Sequence, residues 1–597
     1  MTASASTPTS APVPAPVPVR RDWLLGPLPD LLLGCGLGYV ALVAVLAFLR
    51  PDLSPVQGWL PLAVLVTGVP HYGATLLRVY GTREARRRYA RVAVGWTALV
   101  GAAFLVGLRL PLAGSGLITL YLTWSPWHYT SQNYGVALMF LGRRGVPVSA
   151  GTKRLLRASF ILSYALVFLA YHRAGAAAGG RDPMYAASES YRFLPLGIPA
   201  GWTKILALGV GALWVAVTAL CLWRLGRASR HRQRALVPAA LLVLTQALWF
   251  ALPALGDQVA PAGYGAGTAA ARAFLWIAIA HSVQYLWVSR YYARTAAEKD
   301  PRKDRTGGAL CYLQVLLAGA AIWTVPALLF APDALGRVPF EMGLGLLVAA
   351  AVNLHHFILD GAIWKLRDAR VGQVLLAGEE AGAAPGRDPA PARRGGPPSL
   401  PVLLLGTAGA LSTASWVWAT WEKEMGQRHA SAAGDLARLE RAASRLALLG
   451  RDGPQIHVTL GRLKARRGQT QAALVEYQQS LALAPTTAAW VGIGRLREEQ
   501  EDWHGALAAY QAALAADAGD TAARATAFDR TALVWLRLGD PGRALAASEQ
   551  ALAAAPGRTS IQRHHAEVLA AAGQAPSPSV DTPSRPVAPP PSGPSGH

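Results

Sequence analysis

Cysteine is scarce in this chain, and acidic residues are in short supply. Its 597 residues include 3 cysteines, Cys35, Cys221 and Cys311, with no CxxC or CxxCH arrangement among them. Thiolate zinc sites, thioredoxin-like redox pairs and covalently attached haem therefore have no support. The C-terminal third has no cysteine, so it needs no disulfide. Asp and Glu number 34 against 57 Lys and Arg, a formal charge of +23. Such an excess suggests nucleic acid as a partner, but its placement argues against that. Positive charge collects in alternate connections between apolar runs, the positive-inside signature of a membrane protein. The N-terminal stretch 1–19 is rich in Ala, Pro, Ser and Thr. It lacks the short apolar core and small-residue cleavage site of a signal peptide.

Long apolar runs are abundant. Hydrophobic residues make up 52% of the chain, and runs of about 20 residues can cross a hydrocarbon layer of roughly 30 Å. Eleven stand out, near 31–49, 59–78, 92–112, 117–141, 155–172, 202–223, 236–254, 271–289, 309–330, 342–364 and 399–420. Cationic connections at 83–91, 143–157, 224–234, 290–305 and 365–394 alternate with sparsely charged ones. This predicts a bacterial inner-membrane protein with a cytoplasmic N-terminus and everything after the eleventh span outside.

Four histidine sites fall in segments that cross in the same direction: His71 in VTGVPHYGATLLRVY, His128 in TWSPWHYTSQNYG, His281 in IAHSVQYLWVSRYY, and His355 with His356 in NLHHFILDGAIWK. Ionisable groups in the hydrocarbon layer are costly, so each marks a functional site by default. His71 precedes Arg78 by 7 residues, His128 precedes Arg143 by 15, His281 precedes Arg290 by 9 and His356 precedes Lys365 by 9. At about 1.5 Å per residue the depths are roughly 10, 22, 14 and 14 Å from the cytoplasmic end. They are similar enough to converge on one metal. Gln132 lies four after His128, Gln284 and Tyr285 three and four after His281, and Asp360 four after His356, with Asn353 just before the pair. Helical spacing puts each on its histidine's face. Gln132, Gln284, Asn353 and Asp360 are therefore the expected partners that orient the imidazoles. His355 and His356 point about 100° apart, so one of them is expected to enter the site. Neutral imidazoles with an open position suit non-haem Fe(II); a b-type haem between two helices is the alternative ligand set. Interhelical hydrogen bonding is the bland alternative. Trp124, Trp127, Trp276 and Trp364 read as packing or interface anchors.

GVPHYGATLL resembles a degenerate PHGAxD box of the Brp/Blh family of membrane β-carotene dioxygenases, with Tyr72 in place of a glycine and Thr75 in place of the acid. WSPWHYTSQNYG is similar in place to that family's second histidine box, and AHSVQYLWVSRYY to its late histidine helix. The resemblance implies Fe(II) held by histidines from several spans. Membrane desaturases and hydroxylases, which carry HxxxH and HxxHH clusters, fit less well because this chain has a single HH pair.

Past Trp421 the composition turns to Ala, Leu, Arg and Glu at helical spacing, with self-similarity at a period near 34. LGRLKARRGQTQAALVEYQQSLALAP, VGIGRLREEQEDWHGALAAYQAALAAD and ALVWLRLGDPGRALAASEQALAAAP align with Ala473, Ala506 and Ala544 at a tight crossing, and Tyr477, Tyr510 and Ser548 at the following position. This resembles the tetratricopeptide repeat, which implies a stack presenting a groove to a protein partner. The spacing slips between the second and third units.

The expected fold is all-α, a polytopic transmembrane bundle of about eleven spans followed by a tetratricopeptide-like solenoid. The parts are a disordered tail (1–22), a membrane domain (23–371), a Gly/Pro/Ala-rich linker (372–398), a last span (399–421), repeats (422–574) and a Pro/Ser tail (575–597). The expected function is a metal-dependent oxygenase acting on an isoprenoid or acyl substrate, with an exported repeat module. The other reading is a non-enzymatic anchor or transporter that presents the repeats.

Overall fold

A computed structural model describes residues 22–49, 56, 58–174, 190–259, 268–297, 308–329, 340–366, 369–377, 400–516 and 521–573. The expected tails at 1–22 and 575–597 and the linker at 372–398 fall almost wholly outside these residues. The described residues are helical apart from turns and one isolated bridge, Arg173 to Ile198. They form two compact units, one within Met1–Met425 with Arg445–Arg451, the other within Gly426–Ser444 and Asp452–His597.

The first unit contains α1 (Leu37–Leu49), α2 (Leu60–Tyr80), α3 (Arg83–Arg109), α4 (Pro111–Arg143), α5 (Ala150–His172), α6 (Ala200–Ala228), α7 (Gln233–Gln258), α8 (Thr268–Ala297), α9 (Gly308–Leu329), α10 (Leu344–Ile363), α11 (Ala369–Ala377) and α12 (Leu400–Trp421). Each of the eleven expected spans corresponds to one of these helices. Among the described residues, seven are long and apolar enough to cross a membrane, or eight if the short helix Pro27–Gly34 and α1, bent by 61°, count as one span. That fits a multi-pass membrane protein. Helices α4 and α8 fall short in apolarity because they carry the polar side chains of the interior; α9 counts as a shorter apolar helix, Ala309–Trp323.

The surface of this unit is strongly apolar. Trp202, Ile205, Leu208, Leu213, Val215 and Trp223 on α6, and Leu403, Leu404, Leu405 and Leu411 on α12, are exposed. In water such stripes drive association; against lipid they need no partner. The helix ends are set by local chemistry. Thr82 caps α3 by accepting from Ala85 N at 3.1 Å, and Ser149 caps α5 by accepting from Thr152 N at 3.1 Å. After α4, Gly145 adopts φ +62° and Val146 N returns to the Leu141 carbonyl at 2.9 Å, a helix stop that favours glycine.

Two features place the histidine helices. Helices α2 and α9 cross at Gly73 and Gly319, where a Cβ on either would collide with the backbone of the other helix, at Val315 and Val69 respectively. Small residues at such crossings let membrane helices approach closely. Pro70 lies inside α2 just before His71. Proline cannot bond the carbonyl four residues back, and Tyr312 OH donates to that carbonyl, Val66 O, at 2.5 Å. Around the histidines the core holds Tyr121, Tyr129, Trp249, Phe274 and Phe357.

The second unit contains α13 (Pro454–Arg466), α14 (Thr470–Leu483), α15 (Thr487–Glu499), α16 (Trp503–Ala516), α17 (Thr521–Arg537), α18 (Pro541–Ala554) and α19 (Thr559–Ala571). Three consecutive antiparallel pairs pack through small-into-large contacts. Ala473, Ala506 and Ala544 are fully buried. Gly461 and Gly492 lie against the Tyr477 ring, and Gly494 against Tyr510. The slipped spacing has a structural source: α17 is 17 residues long, whereas α13 and α15 have 13.

Candidate metal centre

Helices α2, α4, α8 and α10 bring His71, His128, His281 and His356 together. Ring centroids are 4.1 Å apart for His71–His356, 5.2 Å for His71–His281, 5.0 Å for His128–His281 and 5.3 Å for His128–His356. The ligating atoms of His71, His281 and His356 all lie within 4.8 Å of one another, as do those of His128, His356 and Asp360. This buried His/Asp group can hold a metal ion. His71, His281 and His356 are at most 2% exposed, and His128 is the least buried at 9%.

The hydrogen bonds assign the imidazole faces. His71 Nδ1–H donates to the Gly68 carbonyl at 3.0 Å, which leaves the Nε2 lone pair free. His356 Nδ1 lies 3.0 Å from Thr75 Oγ1, and that hydroxyl donates to Asp360 Oδ1 at 3.0 Å. A hydroxyl that gives its proton to a carboxyl oxygen accepts from the ring, so His356 also carries its hydrogen on Nδ1. Tyr285 OH donates to the same Oδ1 at 2.9 Å and is itself held by Trp364 Nε1 at 3.0 Å. Asp360 Oδ2 is left over, 3.3 Å from His356 Nε2 and 3.7 Å from His128 Nε2.

Acceptor therefore faces acceptor at His356 Nε2 and Asp360 Oδ2, 3.3 Å apart. Five buried ring nitrogens have no hydrogen-bond partner: His71 Nε2, His128 Nε2, His356 Nε2 and both nitrogens of His281. Each such group costs roughly 1–3 kcal/mol, so a cluster of them calls for a cation. Ligand atoms on one ion at bond lengths of about 2.1 Å stand about 3.0–3.4 Å apart, close to the separations from Asp360 Oδ2. The donor set of imidazole nitrogens and one carboxyl oxygen suits Fe(II), Zn(II) and similar ions.

Several sequence expectations need correction. His355 is not in the cluster: its Nε2 lies 2.7 Å from Thr97 Oγ1 on α3, because successive helical positions point about 100° apart. Gln132 and Gln284 do not orient imidazoles. Gln132 Nε2 donates to Gln284 Oε1 at 2.6 Å and to the His281 backbone carbonyl at 3.3 Å. Gln284 Nε2 donates to Gly34 O at 2.7 Å and Asn133 Oδ1 at 3.1 Å, and the chain continues through Asn133 Nδ2 to Gln246 Oε1 at 3.0 Å. Asn353 accepts from Tyr72 OH at 2.9 Å and donates to Ala349 O at 2.8 Å; it reaches the histidines only through the Tyr72 ring, which packs on His71. Asp360, expected to orient a histidine, instead falls within the group that could hold a metal ion. The orienting groups are instead Thr75 and Tyr285, the first of which stands out in sequence only as the missing acid of a motif.

A cavity of about 290 Å³ adjoins the cluster. His128, Asp360 and Tyr285 reach it, and Trp124, Trp127, Phe357 and Trp364 line it together with aliphatic side chains. Three of the four tryptophans read as anchors thus form its wall; Trp276 packs against the core. No protein-family model and no curated protein matches this chain.

Proposed function

We propose that the chain is a membrane-embedded non-haem iron oxygenase acting on a lipid-soluble substrate. Its ligands would be His71, His128, His281, His356 and Asp360. The observation that carries this reading is the set of partnerless imidazole nitrogens gathered beside Asp360 Oδ2, with an aromatic cavity reaching two members of the set. Iron in such a site would supply redox chemistry with dioxygen. The chain's own residues do the rest. Thr75 and Tyr285 hold the Asp360 carboxyl by one oxygen and turn the other to the imidazoles. Burial excludes bulk water from three of the four histidines. The walls of Trp124, Trp127 and Phe357 suit an isoprenoid or acyl chain, whose reactive carbon would sit near His128 and Asp360. A b-type haem is the alternative occupant; the four adjoining ring pairs, with centroids 4.1 to 5.3 Å apart, stand closer than two imidazoles facing each other across a haem.

On this reading all eleven expected helices are spans, the four histidine helices run from outside to inside, and the second unit is an exported tetratricopeptide-type module for a protein partner. The small-into-large packing at Ala473, Tyr477, Ala506 and Tyr510 supports that repeat assignment. Dioxygen uptake by the iron-loaded protein, supplied with polyisoprenoid and fatty-acyl lipids from its host membrane, tests the activity. Uptake that falls in Asp360→Ala and Trp127→Ala is expected. No uptake with any lipid fraction contradicts it and leaves the non-enzymatic anchor or transporter.

A further inference from the structure

A second cavity, of about 620 Å³, opens among α2, α3, α8 and α9 and touches none of the candidate metal ligands. Its apolar lining includes Leu77, Leu286, Val315 and Tyr312; its charged lining is Arg78, Arg88 and Arg290 against one carboxylate, Glu84. Three positive groups against one negative group select an anion.

Arg78 is built to receive one. Its guanidinium is clamped between the rings of Tyr292 and Trp364, 3.9 Å and 3.7 Å from their centroids, and Nη2 donates to the Ile363 carbonyl at 3.1 Å. Nη1 is buried without a hydrogen-bond partner, and so is Ser289 Oγ on the same cavity. A fixed guanidinium with an unused donor suits a phosphate oxygen, and a planar fork pays little further ordering cost on binding it. Thr82, Glu84 and Ala85 bring the start of the long helix α3 to the same cavity, adding the positive end of a helix dipole. The volume and the aliphatic wall exceed what a free phosphate would fill, and they suit an attached acyl chain.

We propose that this cavity binds an anionic phospholipid, its phosphate held by Arg78, Ser289 and Arg290 and its acyl chain laid along Leu77, Leu286 and Val315. On the proposed topology the site draws from the cytoplasmic leaflet, where anionic lipids and basic side chains attract. The proposal stands independently of the metal reading.

Native mass spectrometry of the full chain in neutral detergent tests it, with phosphatidylglycerol, phosphatidylcholine and inorganic phosphate titrated separately. One phosphatidylglycerol per chain is expected, with a preference over phosphatidylcholine of about tenfold, as a desolvated charge-assisted contact supplies. Arg78→Gln should abolish the preference. Arg290 is exposed, so Arg290→Gln should fold normally and lower the preference as well. Equal retention of the two lipids, or a preference that survives both substitutions, overturns the proposal. So does inorganic phosphate that binds with the same arginine dependence and displaces the lipid, which would reassign the cavity to a free anion.

Discussion

Thr75 Oγ1 lies 3.0 Å from His356 Nδ1 and 3.0 Å from Asp360 Oδ1, beside the Tyr285 hydroxyl that holds the same carboxyl oxygen. It thereby fixes the tautomer of one candidate ligand and the orientation of another. Groups in this position typically contribute 10–100-fold to metal affinity. Thr75→Val, which keeps the shape and removes the hydroxyl, should therefore lose iron to a competing chelator about 10–100-fold more readily, whereas Thr75→Ser should behave like the parent. Equal retention in the valine variant would show that the carboxyl is held adequately by Tyr285 alone. The residue was illegible in the sequence for a physical reason. A hydroxyl becomes informative only when its partners are known, and these come from α8 and α10. Asp360 and His356, four apart on one helix, were legible because the helical period itself places them together. The Gln132 and Gln284 assignments failed because same-face spacing says nothing about which neighbouring helix a long amide reaches; here the two meet each other.

At the scale of elements, the crossing of α2 and α9 makes the most demanding use of glycine. A methyl group on Gly319 would strike the Val69 carbonyl, two residues before His71 on α2. Gly319→Ala should destabilise the purified protein by about 1–3 kcal/mol, the usual cost of overpacking. Gly95 on α3 has nothing within 4 Å of a Cβ, so Gly95→Ala should be neutral or mildly stabilising. Thermal unfolding in detergent distinguishes them; equal melting temperatures for the two variants would mean that the crossing is not tight in the folded protein. The helices themselves were readable from apolar runs, because a hydrocarbon layer calls for about 20 apolar residues per helix. The closeness of α2 to α9 was not, since single glycines in apolar helices are common and only a partner gives one meaning. Ala473, Ala506 and Ala544, aligned in sequence, are all fully buried, and the uneven spacing before the third goes with the longer α17.

At the scale of the whole molecule, the second unit has its own apolar clusters and no cysteine, so residues 430–575 should fold alone, as neighbour-stabilised repeats do. This unit also contains a buried charged network. His457 Nδ1 lies 2.8 Å from Glu476 Oε2, and Lys464 Nζ lies 2.7 Å from Glu476 Oε1 and 2.9 Å from Glu440 Oε1. Burial pulls the His457 imidazole down, but hydrogen bonds and charges from Asp452 and Glu476 outweigh it and lift it to about 9. A raised folded value means that the stabilisation is complete below the unfolded value near 6.5 and is lost as pH rises through 9. The melting temperature of 430–575, followed by circular dichroism, should fall between pH 6.5 and 9, and His457→Gln should flatten that fall; a parent profile already flat over this range would contradict the network. On the proposed reading, four helices of the first unit share one metal ion. Metal analysis of the full chain, purified anaerobically without chelators, tests it most directly, alongside His281→Ala, His356→Ala and His355→Ala. About one iron per chain is expected, lost in the first two variants and kept in the third, and kept also in the truncated protein 1–425. Protein that binds no metal, or metal that survives loss of both His281 and His356, would contradict it.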